Sequence, residues 1–271
     1  MKYKTCSVIV CVYKNDNPEF FKQAINSVLN QTLKSNDIII VVDGPVGAEL
    51  KKTIKKFEKL KNITVKWLPK NVGTGQASNV GIGLTKNELI AKLDADDIAY
   101  TDRFEKQTAM FNKEKKLAYL GGQMKEFLGD KKNIVSERYV PTDYEQIKKF
   151  ARRRCPFNNS TVMYKKSAIT SVDGYPTETR SEDYFLVAKL LAAGYVIKNL
   201  PDYLAYYRLS NDVYARRKTW KHTKATIIMR WKIRKLGVSR IQDALLITIV
   251  QLVMFILPSG FTKLVYRTIQ K

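Results

Sequence analysis

Three carboxylates, Asp94, Asp96 and Asp97, fall within four residues at the end of the apolar run LIAKL. Ionised side chains this close repel one another, and a bound cation relieves the repulsion. Hard oxygen donors with open coordination positions suit magnesium or manganese bridging a diphosphate. One aspartate here would read as a helix N-cap, because Asp is common at helix starts; three after a buried strand point to metal. Asp43 closes a second apolar run and opens the turn Asp43-Gly44-Pro45. Between the two lies a segment holding Gly73, Gly75, Gly81 and Gly83. It lacks the dinucleotide spacing, since Gln76 and Ala77 follow Gly75 and no strand leads directly into Gly73. It reads as a loop whose backbone N–H groups can approach a phosphate or ribose.

The elements that position these residues follow from hydrophobic periodicity. Residues 6–13 and 38–42 are apolar and β-branched with almost no polar break, the pattern of strands buried on both faces of a parallel sheet. A helix capped at Asn17-Pro18 lies between them, with Phe20, Phe21, Ala24, Ile25, Val28 and Leu29 at helical spacing. A lysine-rich amphipathic helix over 48–60 and strands over 63–68 and 88–93 continue the alternation. Such an order predicts a right-handed, doubly wound, mostly parallel α/β sheet, with ligands beyond the carboxyl ends of its strands. Asp43 and the Asp94–Asp97 run both stand at such ends and can share one site. Farther on, helices are expected over 103–111, 143–153 and 182–193, and strands over 119–127, 133–139, 161–164 and 203–208.

Composition narrows the partners. The 271 residues carry 48 Lys and Arg against 25 Asp and Glu, a formal charge of +23. Anionic partners are implied. Thirteen of the cations and a single acid, Asp243, lie in residues 215–271. Cys6, Cys11, Cys155 and the lone His222 lack zinc-site or disulfide-framework spacing, which suits a reducing cytoplasm. Residues 219–236 read as a basic helical stretch and 241–257 as an apolar helix ended by Pro258-Ser259-Gly260. Seventeen residues interrupted by Gln242, Asp243 and Gln251 are short of the ~20 that span a bilayer. With cations on both sides, an interfacial membrane helix is the expectation; a buried C-terminal helix or a contact between copies of the chain are the alternatives.

In order along the chain, VIVCVYKND, AINSVLNQTL, IIIVVDGP, LPKNVGTGQASNVGIGLTKNELIAKLDADDI, PFNNSTVMYKKSAI, VDGYPTETRSEDYFLVAKLLAAGY and YYRLSNDVYARR resemble family 2 glycosyltransferases of the GT-A fold. The likeness is narrower to bacterial enzymes that build capsular polysaccharide, exopolysaccharide or lipopolysaccharide, and it spans residues 5–218. It implies a GT-A catalytic domain over 1–218, with nucleotide-sugar binding in 1–100 and acceptor binding in 101–218, followed by a helical membrane-associating tail over 219–271.

What the resemblance implies can be placed residue by residue. Val12, Tyr13 and Asp43 match the base and ribose pocket for a uridine-type or thymidine-type nucleotide. Asp94 and Asp96 match the DxD motif, the first helping to hold the nucleotide sugar and the second binding manganese or magnesium. Glu182 and Asp183 match the acidic pair at a helix start, Asp183 being the general base of inverting members. Asn158, in the segment PFNNST, falls near the donor sugar or acceptor. That segment and the one around Arg208 lack histidines that many relatives carry, which leaves water or phosphate as the third metal ligand. Arg208, Arg216 and Arg217 are candidates for the diphosphate, because planar guanidinium groups pair well with phosphate oxygens; a basic membrane-facing patch is the alternative for them.

The function implied is inverting transfer of a sugar from a nucleotide-diphosphate donor, a UDP-sugar first, to a glycan or lipid-linked acceptor at the cytoplasmic face of an anionic membrane. Nucleic acid is not an expected partner: no binding motif accompanies the charge, and such a role leaves the Asp94–Asp97 run unexplained. A catalytically degenerate transferase kept as a scaffold is the remaining rival.

Overall fold

The computed structural model describes residues 2–177, 181–209 and 219–257, the side chains of Lys221 and His222 excepted. The amino-terminal half alternates as the hydrophobic pattern requires: β1 (Ser7–Val12), α1 (Pro18–Leu29), β2 (Asp37–Val42), α2 (Ala48–Phe57), β3 (Ile63–Trp67), α3 (Thr74–Leu84) and β4 (Leu89–Asp94). Then come β5 (Ile98–Ala99), α4 (Arg103–Lys113), β6 (Leu117–Phe127), β7 (Ile134–Arg138), α5 (Tyr144–Phe150), a 3-10 turn (Asn159–Thr161), β8 (Met163–Lys165), α6 (Lys166–Ser171), α7 (Glu182–Ala192) and β9 (Val196–Arg208). Two helices, α8 (Trp220–Lys235) and α9 (Ile241–Ile256), follow.

The strands form one sheet in the order β3-β2-β1-β4-β8-β6-β9-β5, with β7 paired to β6. The first four run parallel, so the carboxyl ends of β1, β2 and β4 sit side by side. Beyond β4 the sheet is mixed: β8 runs antiparallel to both neighbours, whereas β6 and β9 are parallel. Side-chain alternation divides the interior. Val8, Val10 and Val12 of β1 join Phe21, Ile25, Leu50 and Phe104 on one face, and Ile9 joins Ala77, Ile82, Leu186 and Leu190 on the other. Asn17 caps α1 through its side-chain oxygen, which accepts from the backbone N–H of Glu19 and Phe20 at 2.9 and 3.2 Å.

The glycine-containing segment departs from the expected loop, for most of it is α3. Its glycines serve approach to the sheet: a Cβ on Gly81 would lie 2.9 Å from Ile9 Cγ2 and 3.3 Å from Val41 Cγ2. Small residues therefore let the helix settle on β1 and β2, a gain in packing that offsets the low helix propensity of glycine. The loop character survives only at Gly73, the N-cap, whose φ of +87° lies in the left-handed region.

The carboxyl-terminal helices are docked on the rest of the fold. Met229 and Ile233 of α8 are buried against Tyr184 and Ala188 of α7. The boundary expected after residue 218 falls in 210–218, outside the described residues, and α8 beyond it shares a small core with the helix that begins at the acidic pair. No helix among the described residues is long and apolar enough to cross a membrane.

Candidate active site

Asp94, the last residue of β4, is half-buried and held from several sides. Lys92, itself buried two residues earlier, places Nζ 2.6 Å from Asp94 Oδ1. Asn159 Nδ2 donates to both carboxylate oxygens at 3.2 and 3.1 Å. Burial opposes ionisation, but Lys92 and these donors outweigh it and hold the Asp94 carboxyl below its usual range. Burial would likewise lower the pKa of Lys92, and the Asp94 charge raises it instead. Lys92 and Asp94 thus form a committed ion pair at the floor of the site.

Asp96 and Asp97 divide the remaining work. Asp97 is fully buried, accepts from the Ser160 hydroxyl, and accepts from the backbone N–H of Arg208 at 3.0 Å. Burial and the charges of Asp96 and Asp94 drive its pKa well up, so it is a structural brace. Asp96 is half-buried and receives no hydrogen bond from a protein side chain among the described residues. Burial and the adjacent Asp94 raise its pKa, and the charges of Arg208 and Lys92 offset this only in part. A hard oxygen donor in that state fits a divalent cation whose other positions are filled by phosphate oxygens or water. No three His, Cys, Asp or Glu side chains converge to cage a metal among the described residues.

Asp43 stands at the end of β2, buried. Val72 N–H donates to Asp43 Oδ1 at 2.7 Å, and Gly73 N–H and Asn71 Nδ2 donate to Oδ2 at 3.0 and 2.9 Å. It folds the loop leading into α3. Gly44 makes this turn, with φ +88° and a would-be Cβ 2.6 Å from Asn71 N. Tyr13 lies in the adjoining loop after β1, where its N–H donates to Asp16 Oδ2 at 2.8 Å. Val12 contributes backbone only: its carbonyl accepts from Asp43 N–H at 2.7 Å and its side chain is buried in the core.

From the other half of the chain, α7 brings Glu182 and Asp183 to the same cleft. A Cβ on Gly75, in the first turn of α3, would lie 3.2 Å from the Glu182 side chain. Gln76 and Asn79 tie α3 to the segment after α6 by donating to the Pro176 carbonyl at 3.1 Å and the Tyr175 carbonyl at 2.8 Å. Ser181, just before the pair, holds a left-handed φ of +56°, which costs a non-glycine residue about 1–2 kcal/mol. Burial raises the pKa of both carboxyls, and Asp183 also feels Lys92 and Asp94 across the cleft.

Two expected residues are engaged by other parts of the protein. Asn158, expected near the donor sugar or acceptor, is buried and donates to the carbonyls of Gly122 and Arg138 at 2.9 and 3.2 Å. Its neighbour Asn159 is the one that reaches Asp94, with a buried Oδ1 that has no hydrogen-bond partner. Arg208, a candidate for the diphosphate, donates to the Asp96 carbonyl at 3.0 Å, the Gly129 carbonyl at 3.1 Å and Gln23 Oε1 at 2.7 Å. Its guanidinium carbon also lies 3.9 Å from the Phe20 ring centroid. These contacts make it a support of the Asp96 loop. Arg216 and Arg217 lie outside the described residues.

Four contributors have little signal in the sequence. Asp16, facing Asp96 and Asp94, has its pKa pushed up to about 7 by burial first and by those charges second. Lys92 could be suspected only as the one charge inside an apolar strand. Ser160 and Asn159 sit in a segment whose register is set by Arg103. That fully buried arginine donates to the carbonyls of Ser160, Lys92 and Val162 at 2.7, 2.8 and 3.0 Å, tying the 3-10 turn to β4.

Residues 7–175 match the model of glycosyl transferase family 2. An uncharacterized glycosyltransferase of Haemophilus influenzae is 35% identical over 97% of both chains. A UDP-Gal:alpha-D-GlcNAc-diphosphoundecaprenol beta-1,3-galactosyltransferase of Escherichia coli is 31% identical over 97% of this chain and 95% of its own. Among solved structures, the mannosyltransferase PcManGT of Pyrobaculum calidifontis, in complex with GDP-Man and Mn2+, superposes with a TM-score of 0.67 at 12% identity, covering 99% of this chain and 81% of that one. Residues 1–349 of TarS from S. aureus, in complex with UDP-GlcNAc, give a TM-score of 0.64 at 16% identity over 83% of this chain and 65% of that one. With an α/β sheet of this topology and a family match over more than half its length, the chain belongs to glycosyl transferase family 2 and has the GT-A fold.

Proposed function

We propose that this enzyme transfers a hexose or N-acetylhexosamine from a UDP-sugar to a hydroxyl of a lipid-diphosphate-linked glycan in bacterial surface polysaccharide synthesis, with inversion at the anomeric carbon. The observation that carries the reading is the meeting of two acid groups from opposite halves of the chain, Asp94 and Asp96 at and just past the end of β4 and Glu182–Asp183 on α7, in one cleft beside the loop that Asp43 folds. A UDP donor is supported by the UDP-Gal named for the Escherichia coli relative and the UDP-GlcNAc named for the TarS complex. The diphosphoundecaprenol acceptor of that relative supports a lipid-linked acceptor here.

In this reading the loop formed by Tyr13, Asp43 and residues 71–73 receives the nucleotide, and Asn159 offers its unpartnered Oδ1 to a donor-sugar hydroxyl. Asp96 would hold manganese or magnesium jointly with the diphosphate, and such a cation, when bound, neutralises charge developing on the leaving nucleoside diphosphate. Asp183 accepts the proton of the attacking acceptor hydroxyl. Its raised pKa suits that task, because a carboxylate held in low dielectric is a stronger base than one in water. Attack opposite the leaving group inverts the anomeric centre. Arg216 and Arg217 remain candidates for the diphosphate. The tail over 219–271 holds the enzyme peripherally at the cytoplasmic face of the membrane.

The test is product stereochemistry. Transfer from an α-linked UDP-sugar to a lipid-diphosphate GlcNAc acceptor, read by the anomeric proton coupling of the product, is expected to give only the β linkage. An α-linked product would reject Asp183 as base of a single displacement.

A further inference from the structure

The turn after α5 carries three consecutive arginines, Arg152, Arg153 and Arg154, against the corner between α8 and α9. A cavity of about 490 Å³ opens there, walled by these three together with Lys149 and Arg240. Asp243 is the one acid among its lining residues, and it is already paired with Arg153 at 2.6 Å. Positive charge so concentrated is unfavourable unless an anion shares it. The pocket is nonetheless built. Buried Arg230 donates to the carbonyls of Arg152 and Arg153 at 3.3 and 2.5 Å and to the Tyr184 hydroxyl at 2.6 Å, and the Ser239 hydroxyl donates to the Arg152 carbonyl at 2.9 Å.

Beginning at Arg240, the N-cap of α9, an apolar ridge runs away from this pocket. Ile241, Leu245, Ile249, Leu252, Val253 and Ile256 recur at intervals of three and four on one helix face, with exposures from 38% at Leu252 to 80% at Ile256. Asp243, Ala244 and Met254 on the other side are buried. The helix has 16 residues, about 24 Å at 1.5 Å per residue, below the ~30 Å of a bilayer core. An anionic bilayer offers both phosphate and hydrocarbon at the spacing of ridge and pocket. In the sequence Lys263, Arg267 and Lys271 follow α9.

We propose that the α9 ridge and the arginine pocket form a docking surface for an anionic lipid bilayer, the ridge entering the interface and the pocket taking a headgroup phosphate. This deepens, and rests on, the reading of the acceptor as membrane-borne. Arg230 joins the pocket to Tyr184, one residue after Asp183, so a docked headgroup and the catalytic helix share a rigid connection.

The experiment is vesicle flotation of the full-length protein on equimolar phosphatidylglycerol and phosphatidylcholine, and on phosphatidylcholine alone, with nucleotide release from UDP-sugar measured in parallel. One cation near an anionic surface contributes about fivefold in binding. Arg152→Ala/Arg240→Ala is therefore expected to weaken binding to the anionic vesicles about 25-fold, with nucleotide release retained and with Arg152→Lys/Arg240→Lys binding within a few-fold of wild type. Ile249→Asp/Ile256→Asp is expected to abolish flotation on both. Wild-type flotation that is indifferent to phosphatidylglycerol, or an alanine variant that floats like wild type, overturns the pocket while the membrane-borne acceptor stands. Wild-type protein that ignores anionic vesicles overturns ridge and pocket together. Loss of nucleotide release in the wild type sinks the transferase reading alone.

Discussion

Lys92 is the place where the site and the stability of the fold meet. Its side chain is 2% exposed and its carboxylate partner, Asp94, lies 2.6 Å away. Lys92→Met keeps the volume of the strand's side chain but leaves Asp94 charged and unmatched. Removing one partner of a buried pair costs about 3–5 kcal/mol. Asp94, with its side chain 33% exposed and two contacts from Asn159, regains some solvation, which places the loss near ~3 kcal/mol. For a chain of this size that is a fall of roughly 6–12 °C in Tm. Lys92→Met/Asp94→Asn removes both charges and is expected to recover more than half of the loss, because no unpaired ion remains. Thermal or urea unfolding of the single and double variants reads this directly. A double variant as unstable as Lys92→Met would refute the argument, since the cost would then come from packing and not from a stranded charge.

Other outcomes follow from the same geometry. Asp183→Asn is expected to slow transfer by a factor on the order of a hundred or more while nucleotide-sugar affinity survives; a collapse of affinity in a binding titration would move Asp183 to the donor site. Because burial raises the Asp183 pKa, the unprotonated base accumulates only above the usual carboxylate range, so the wild-type rate should climb with pH through that raised pKa and the Asn variant should lose the climb. Gly44→Ala forces a left-handed residue and a contact at 2.6 Å with Asn71 N; about 2 kcal/mol or more of stability and much of the donor affinity should go, measured by unfolding and by titration with UDP. Removing residues 239–271 should leave a folded enzyme that still releases nucleotide, since Met229, Arg230 and Ile233 of α8 remain packed against α7, but one that loses most activity toward a lipid-linked acceptor relative to a soluble one.

Much of the frame was legible because buried strands leave an uninterrupted apolar signature. β1, β2 and β4 could be read within a residue or so, and with them the carboxyl ends where Asp43 and Asp94 stand. α3 was hidden by its glycines, whose helical role exists only against Ile9 and Val41, partners far away in sequence. Which of Asn158 and Asn159 contacts Asp94 depends on the phase of a three-residue 3-10 turn, which Arg103 ties down from another element. Arg208 reads as a phosphate candidate by chemistry alone, and its contacts with Gln23, Gly129 and the Asp96 carbonyl, which come from distant parts of the chain, add a supporting part. The tail read as a separate appendage because cations mask the short apolar spacing of Met229 and Ile233, so its packing on α7 emerges only in the folded chain.

The central claim is that Asp96, two residues past the end of β4, serves metal-assisted departure of a nucleoside diphosphate. Its most direct test is release of UDP from a panel of UDP-sugars with manganese or magnesium, comparing wild type, wild type in excess chelator, and Asp96→Ala. We expect release by the wild type with at least one donor, loss of it in chelator with recovery on adding manganese, and none from Asp96→Ala despite an unchanged circular dichroism spectrum. Undiminished release in excess chelator, or from Asp96→Ala, would contradict the account.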